Sequence, residues 1–324
     1  MKPTVIFLLF LKILYSNQPS STIPASTYSI VAYDPDTGQL GVAVQSHWFS
    51  VGFLVPWAKA GVGAVATQSF VKVEYGPQGI SLMEDGFTAK EALKKLLLED
   101  KAKEVRQVSM VDTKGNVATH TGSKCIYAAG HFIGDNYSVQ ANMMEKETVW
   151  DAMSYAYENT KGDLAERLMA ALEAAEKEGG DIRGKQSAAM LIVSGEPTGI
   201  SWKDIEMDLR VDDHPEPLKE LKRLIRISRA YHHANKGDHF LELNQINNAL
   251  EQYNLASSYY PENPELPYWS AVALVKSGRF NKAIPIFRNV FRKEPRLRTL
   301  TPRLVKAGLL PDDTDTIIEI MKIK

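Results

Sequence analysis

This 324-residue sequence predicts an α+β protein: two mainly antiparallel sheets packed face to face, helices on their outer sides, and a small all-helical region behind them. Three observations carry that reading. Short strand-like runs are joined by tight turns rather than by single crossovers. Two pairs of amphipathic helical stretches interleave with those runs. From Leu218 onward the strand patterns stop and helical spacing takes over.

Residues 1–26 stand apart from this pattern. Lys2 precedes an apolar run over residues 5–11, Lys12 interrupts it, and residues 13–15 close it. That is far shorter than the roughly 20 residues a spanning helix needs. A basic start and a short apolar core fit a secretory signal. Residues 1–26 are therefore expected to be a leader, and the protein to be exported to the periplasm or the extracellular space. Ser16, or Ala25 and Ser26, are small enough to end such a leader.

The first hairpin pairs residues 27–34 with 39–46 around Pro35-Asp-Thr-Gly38. Gly61-Val-Gly-Ala-Val-Ala-Thr-Gln68 reads as a small-residue strand covered on both faces. Tyr75-Gly-Pro-Gln-Gly79 introduces a helix near residues 80–84. Thr88 and Glu91 form a capping box ahead of Ala92, Leu93, Leu96 and Leu97. Thr113-Lys-Gly115 joins residues 105–112 and 116–121 as a second hairpin. Residues 137–142 return to strand, 149–157 and 164–177 are helices, and 187–193 is the last strand. Residues 201–213 read as a boundary segment, punctuated by Pro215 and Pro217. That gives three parts: a leader over 1–26, a sheet unit over 27–217, and a helical unit over 218–324.

The helical unit repeats itself. Ala249, Tyr253 and Pro261 recur as Ala283, Phe287 and Pro295, each 34 residues later. This period, with a small residue at a helix contact and a proline closing the second helix, is that of tetratricopeptide helix pairs. Gly278 stands at the turn of the second pair, and Asn244 takes its place in the first. About two units are visible, so they are expected to stack on a helix over residues 218–236. Such a surface suits a protein partner; an ordinary helical appendage without one is the competing reading.

Composition narrows the function classes. Hydrophobic residues make up 44% and charged residues 24%, a globular balance, and a formal net charge of -1 leaves no electrostatic footprint for nucleic acid. Gly-rich phosphate loops are absent. Cys125 is the single cysteine, so neither an intramolecular disulfide nor a thiolate metal cluster can form. Neither cofactor nor metal is expected.

Thr27 is the candidate nucleophile. If processing frees its amine, one residue holds both the hydroxyl and its general base, and an α-amino group titrates at about 7.7–8.0, near working pH. The plain alternative is a β-branched residue opening a strand. Gln45 and His47 end the second strand. Thr67, Gln68 and Asn142 bring hydroxyl and amide groups to other strand ends, suited to an oxyanion hole or to turn hydrogen bonds. Lys59 offers a cation beside apolar walls, and Arg183 a planar fork for a carboxylate unless it pairs with Asp181. Asp212, Asp213 and His214 are adjacent on an extended chain and so diverge, which suits an anchor better than a metal site.

Several long stretches resemble one family. Gly41-Val-Ala-Val-Gln-Ser-His47, Val55-Pro-Trp-Ala-Lys-Ala-Gly-Val-Gly-Ala-Val-Ala-Thr-Gln-Ser69, Tyr137-Ser-Val-Gln-Ala-Asn-Met143, Gly180-Asp-Ile-Arg-Gly-Lys-Gln-Ser-Ala-Ala189 and Val211-Asp-Asp-His-Pro-Glu-Pro217 are similar to the domain-of-unknown-function family 1028, over residues 27 to about 229. The resemblance implies a four-layer αββα fold of the N-terminal-nucleophile (Ntn) hydrolase kind and cleavage of an amide bond in a small molecule or peptide. It places Thr27 where typical members carry the threonine after the initiator methionine. Here the leader must go first, by signal peptidase, another protease or self-cleavage at Ser26–Thr27. The expectation is an exported, homo-oligomeric amidohydrolase. The alternative is a catalytically silent Ntn-like domain fused to a helical-repeat adaptor.

Overall fold

A computed structural model describes residues 27–323; the expected leader lies outside the described residues. The fold is mixed α+β, with two antiparallel sheets. In chain order its elements are β1 (Thr27–Tyr33), β2 (Leu40–Ser46), β3 (Pro56–Lys59), β4 (Gly63–Ser69), α1 (Tyr75–Glu84), α2 (Ala89–Glu99), β5 (Arg106–Asp112), β6 (Val117–Thr121), β7 (Gly130–Gly134), β8 (Tyr137–Asn142), α3 (Val149–Asn159), α4 (Leu164–Lys177), β9 (Ser187–Val193) and β10 (Ile205–Val211). Helices follow: α5 (Pro217–Glu242), α6 (Ile246–Tyr259), α7 (Glu265–Lys276), α8 (Phe280–Lys293), α9 (Arg296–Leu300) and α10 (Thr314–Lys322). One sheet runs β10-β9-β2-β1-β8-β7 and the other β3-β4-β5-β6.

Period-two alternation tells the two faces of each strand apart. Tyr28, Ile30 and Ala32 of β1, with Ala43 of β2 and Met190 of β9, join one apolar cluster with Met153, Leu168 and Leu172 from α3 and α4. Val31, Val42, Val44 and Ala189 point the other way and pack on Ala64, Ala66 and Val111 of the second sheet. Val65, Val108 and Met110 in turn face Leu93 and Leu96 of α2. Each sheet is thus buried on both sides. The capping box expected at Thr88 forms, with the Thr88 hydroxyl accepting from Glu91 N–H, and Asp163 with Glu166 repeats it on α4.

β3 and β7 are strands beyond those expected, and two further elements differ from expectation. Residues 205–211 form an edge strand hydrogen-bonded to β9 rather than a boundary segment. Glu206, Asp208 and Arg210 project outward there, so the charges that mask the strand in the sequence are the ones that protect its open edge. The helix expected at residue 80 begins at Tyr75. Pro77 then falls in the first turn, where its missing N–H breaks no helical bond.

The boundary expected near residue 217 coincides with the start of α5, a 26-residue helix that serves both sides. Leu218, Leu221 and Ile225 complete the cluster under the six-stranded sheet, while Ala230 and Ala234 pack on Ala256 and Leu266. Beyond it, α6 and α8 are each 14 residues long, and each begins and ends in register with the 34-residue step. Ala249, Tyr253, Ala283 and Phe287 are all buried. Asn244 and Gly278 both turn through the left-handed region, at φ 57° and 72°, so one backbone shape recurs where the sequence changes residue. Asparagine tolerates that conformation better than other side chains.

Candidate functional site

β1 and β2 pair so that Thr27 lies opposite Ser46, and β1 and β8 so that it also lies opposite Asn142. By the alternation above, Thr27, Ser29, Ser46, Gln140 and Asn142 turn toward the second sheet. Gln68 of β4, Gln107 and Ser109 of β5, and Thr121 of β6 turn to meet them. A polar layer therefore fills one end of the space between the sheets, where the rest of that space is aliphatic.

Its contacts converge on Thr27, which is fully buried. The Thr27 hydroxyl donates to Ser46 Oγ at 3.1 Å. The Thr27 carbonyl accepts from Gln68 Nε2 at 3.0 Å and from Asn142 Nδ2 at 3.4 Å. Both amides are oriented by a single atom, Gln107 Oε1, which accepts from Gln68 at 2.7 Å and from Asn142 at 3.0 Å. Gln107 cannot turn over, because its own Nε2 donates to Thr121 Oγ1 at 2.9 Å and to the Ala141 carbonyl at 2.9 Å. Ser29 completes the layer by donating to Gln68 Oε1 at 2.6 Å.

The backbone just past two of these amides is unusual. Ser69 and Met143, which follow Gln68 and Asn142, have φ of 69° and 57°. Left-handed conformations at residues other than glycine cost of order 1–3 kcal/mol each and cluster at functional sites.

The remaining candidates divide by position. Gln45 belongs to the opposite face of β2, with Ala43, and so turns toward the α4 side rather than toward Thr27. Thr67 likewise turns outward, its hydroxyl donating to the Lys72 carbonyl at 3.2 Å. Lys59 pairs with Glu84 at the far end of β4, beside Gly63, well removed from Gln68. Arg183 closes onto Asp181, its Nε at 3.2 Å from Oδ1 and an Nη at 3.1 Å from Oδ2, so its fork is already occupied. His47 is held to the same carboxylate through its backbone N–H at 3.0 Å, and its buried ring Nδ1 has no hydrogen-bond partner among the described residues. Gln68 and Asn142 do meet Thr27, yet both donate to its own carbonyl. In this geometry they hold the Thr27 backbone in place.

Asp181 is the anchor of the segment that covers this end. It bridges to Met144, and Gln186 N–H donates to the Ser46 carbonyl at 3.1 Å. Asp212 and Asp213 tie the following loop to Ser50 at 2.7 Å and Gln186 at 3.1 Å. Among the described residues, no group of three or more His, Cys, Asp or Glu is placed to hold a metal ion. Cys125 donates to the Arg106 carbonyl at 3.4 Å, and burial pushes its thiol up, away from a reactive thiolate.

Gln107 and Ser46 were not singled out by sequence reasoning. The signal at Gln107 is the alternation of Gln107 and Ser109 with Val108 and Met110. Read alone, it places the polar side in solvent; here that side faces another sheet.

The match to known proteins begins at the same residue. Residues 27–221 fit the family of unknown function DUF1028. The chain belongs to this family. A crystal structure of a DUF1028 protein from Silicibacter pomeroyi is similar to it, with 29% identity and a TM-score of 0.56, covering 62% of this chain and 85% of that one. No curated protein matches. The DUF1028 region thus takes in both sheets, α1–α4 and the first turns of α5, and leaves the repeated helices outside it.

Proposed function

We propose that this DUF1028 protein is an exported Ntn-type hydrolase that cleaves an amide bond once its leader is removed. The two sheets and their flanking helices are then the four layers of an αββα sandwich. The observation that carries the reading is a coincidence at Thr27: the family match starts there, and the buried polar layer converges on that residue.

In the mechanism, Thr27 Oγ attacks the amide carbonyl while the freed α-amine takes the hydroxyl proton. The C–N bond breaks, the same amine returns the proton to the departing nitrogen, and an ester to Thr27 Oγ remains. Water, activated by the amine, hydrolyses that ester and restores the threonine. Ser46 Oγ, at 3.1 Å, orients the hydroxyl, and the Gln68–Gln107–Asn142 triad holds the backbone that carries both reacting groups. Preorganisation of this kind lowers the barrier because the geometry is set before the substrate arrives. The repeated helices, tetratricopeptide-like in period, supply a surface for a protein partner.

Intact-mass measurement and N-terminal sequencing of the mature protein test the first step. A chain starting at Thr27 is expected; one that keeps residues before it has no amine to act as base, and the silent-domain alternative takes over. A screen of small amides and lactams tests the second. Thr27→Ala should lose on the order of 10³-fold or more in turnover, whereas Thr27→Ser should keep a measurable part.

A further inference from the structure

Beside the polar layer, on the β7 side, lies a cleft of about 550 Å³ lined by Tyr127, Gly130, His131, Glu147 and Trp150, among others. It is physically joined to the Thr27 network. Gln107 Nε2 donates to the Gly130 carbonyl at 3.1 Å and to Thr121 Oγ1, which is hydrogen-bonded to His131 Nδ1 at 2.8 Å. Gly130 is what opens the cleft to an aromatic wall. A Cβ at that position would stand 2.6 Å from the Trp150 indole, so only glycine lets the ring lie against β7.

The chemistry of the lining is one-sided. Neither lysine nor arginine is among its residues, and Glu147 is its one carboxylate. Among the described residues Glu147 has no ion-pair partner, while its neighbour Lys146 is paired with Glu178 at 3.9 Å. Ser123, also on the wall, donates from its hydroxyl to Glu104 at 2.7 Å, and this bond holds the Glu104 carboxyl below its usual range. A second carboxylate is thus bonded to the cleft wall through Ser123. His131 does not oppose them, because burial and then His120 push its imidazole down, toward the neutral form. Tyr127, 78% exposed, stands out at the mouth as a second aromatic face. Aromatic faces together with a carboxylate, in a lining without lysine or arginine, form the recognition chemistry of an ammonium or guanidinium group.

We infer that this cleft binds a small organic cation and is placed to hold the cationic end of the amide that Thr27 attacks. The cation site stands on the cleft alone; its role as a substrate subsite rests on the Thr27 reading. Isothermal titration calorimetry with n-butylguanidinium and its neutral counterpart n-butylurea tests it on the purified protein and three variants. The guanidinium should bind wild type and Thr27→Ala alike. It should bind about tenfold more weakly to Glu147→Gln and to Tyr127→Ala, both exposed positions where the fold is retained, and the urea should trail the guanidinium about tenfold on wild type. Absence of guanidinium binding, equal binding of the two probes, or indifference to both substitutions overturns the site. In the amide screen, preference for cation-bearing over neutral substrates supports the subsite role, and the reverse preference overturns that role. Guanidinium binding without any Thr27-dependent turnover upholds the cation site and removes the hydrolase reading instead.

Discussion

Between its sheets the N-terminal region buries Ser29, Gln68, Gln107, Gln140 and Asn142, whereas the helical region closes on Tyr268, Phe287 and Phe291 with one hydroxyl pair, Tyr268 and Thr301 at 3.1 Å. Both interiors exclude water, but they do so on different terms. An aromatic stack such as Phe287 on Phe291, 5.2 Å between ring centres, is stabilised by contact and tolerates small shifts. A buried amide is tolerated only while its partners stay in place, since each unpaired polar group costs about 1–3 kcal/mol. The first interior is therefore built to fix orientation, the second to fill space.

Phe287→Ala should give the largest effect, a loss of about 3–5 kcal/mol in the helical region. Hydrogen exchange should show α6 to α8 losing protection while β1, β2 and β8 keep theirs. Concerted loss in both regions would show that α5 welds them into one cooperative unit, with no separate helical core.

Gln107→Leu comes next. It keeps the volume roughly constant but removes the acceptor that orients both Gln68 and Asn142, at a cost of about 1–3 kcal/mol in urea denaturation. A change under about 0.5 kcal/mol would mean that the amides act separately rather than as a set.

The smallest effect lies in proton binding, where each region has a histidine to compare. His131 is shifted down by burial and by His120, and His232 by burial, Lys236 and His233. The fold favours the neutral ring in both, so their stabilising contribution is present above the unfolded value of about 6.5 and is lost as pH falls through the depressed folded value. Nuclear magnetic resonance titration should place both midpoints below that of a free histidine. His120→Gln should raise the His131 midpoint and leave His232 where it is; movement of both would break the regional assignment.

Much of this architecture was legible in the sequence because its signals are local. The Thr88–Glu91 box, the Thr113-Lys-Gly115 turn and the 34-residue step each depend on residues close along the chain or repeated at a fixed interval. The site was legible only in part. Alternation alone separates Gln45 from Ser46 and Thr67 from Gln68, but it does not say which side meets the other sheet. That choice depends on β9 joining β2 and on β4 lying against β1, contacts made far along the chain. Gln107 stayed hidden for the same reason, since a polar stripe looks alike whether it faces water or a partner sheet. β10 has the alternation of a half-buried strand, Ile205, Met207, Leu209 and Val211 between Glu206, Asp208 and Arg210. Three charges in seven residues gave the segment the look of a loop.

The strand order also sets a timetable for biosynthesis. β2 is translated early, yet one of its edges pairs with β9, one of the last strands made, and the apolar layer beneath is completed only when Leu218, Leu221 and Ile225 of α5 arrive. Until then the nascent chain carries a hydrophobic hairpin with an open flank, the kind of surface that other chains join readily. The N-terminal region thus cannot finish folding before α5 has begun to emerge. A chain cut at residue 221, where the family match ends, would lack Ile225 and leave that layer incomplete. Holding such a chain in solution would call for a chaperone, or for the remaining turns of the helix.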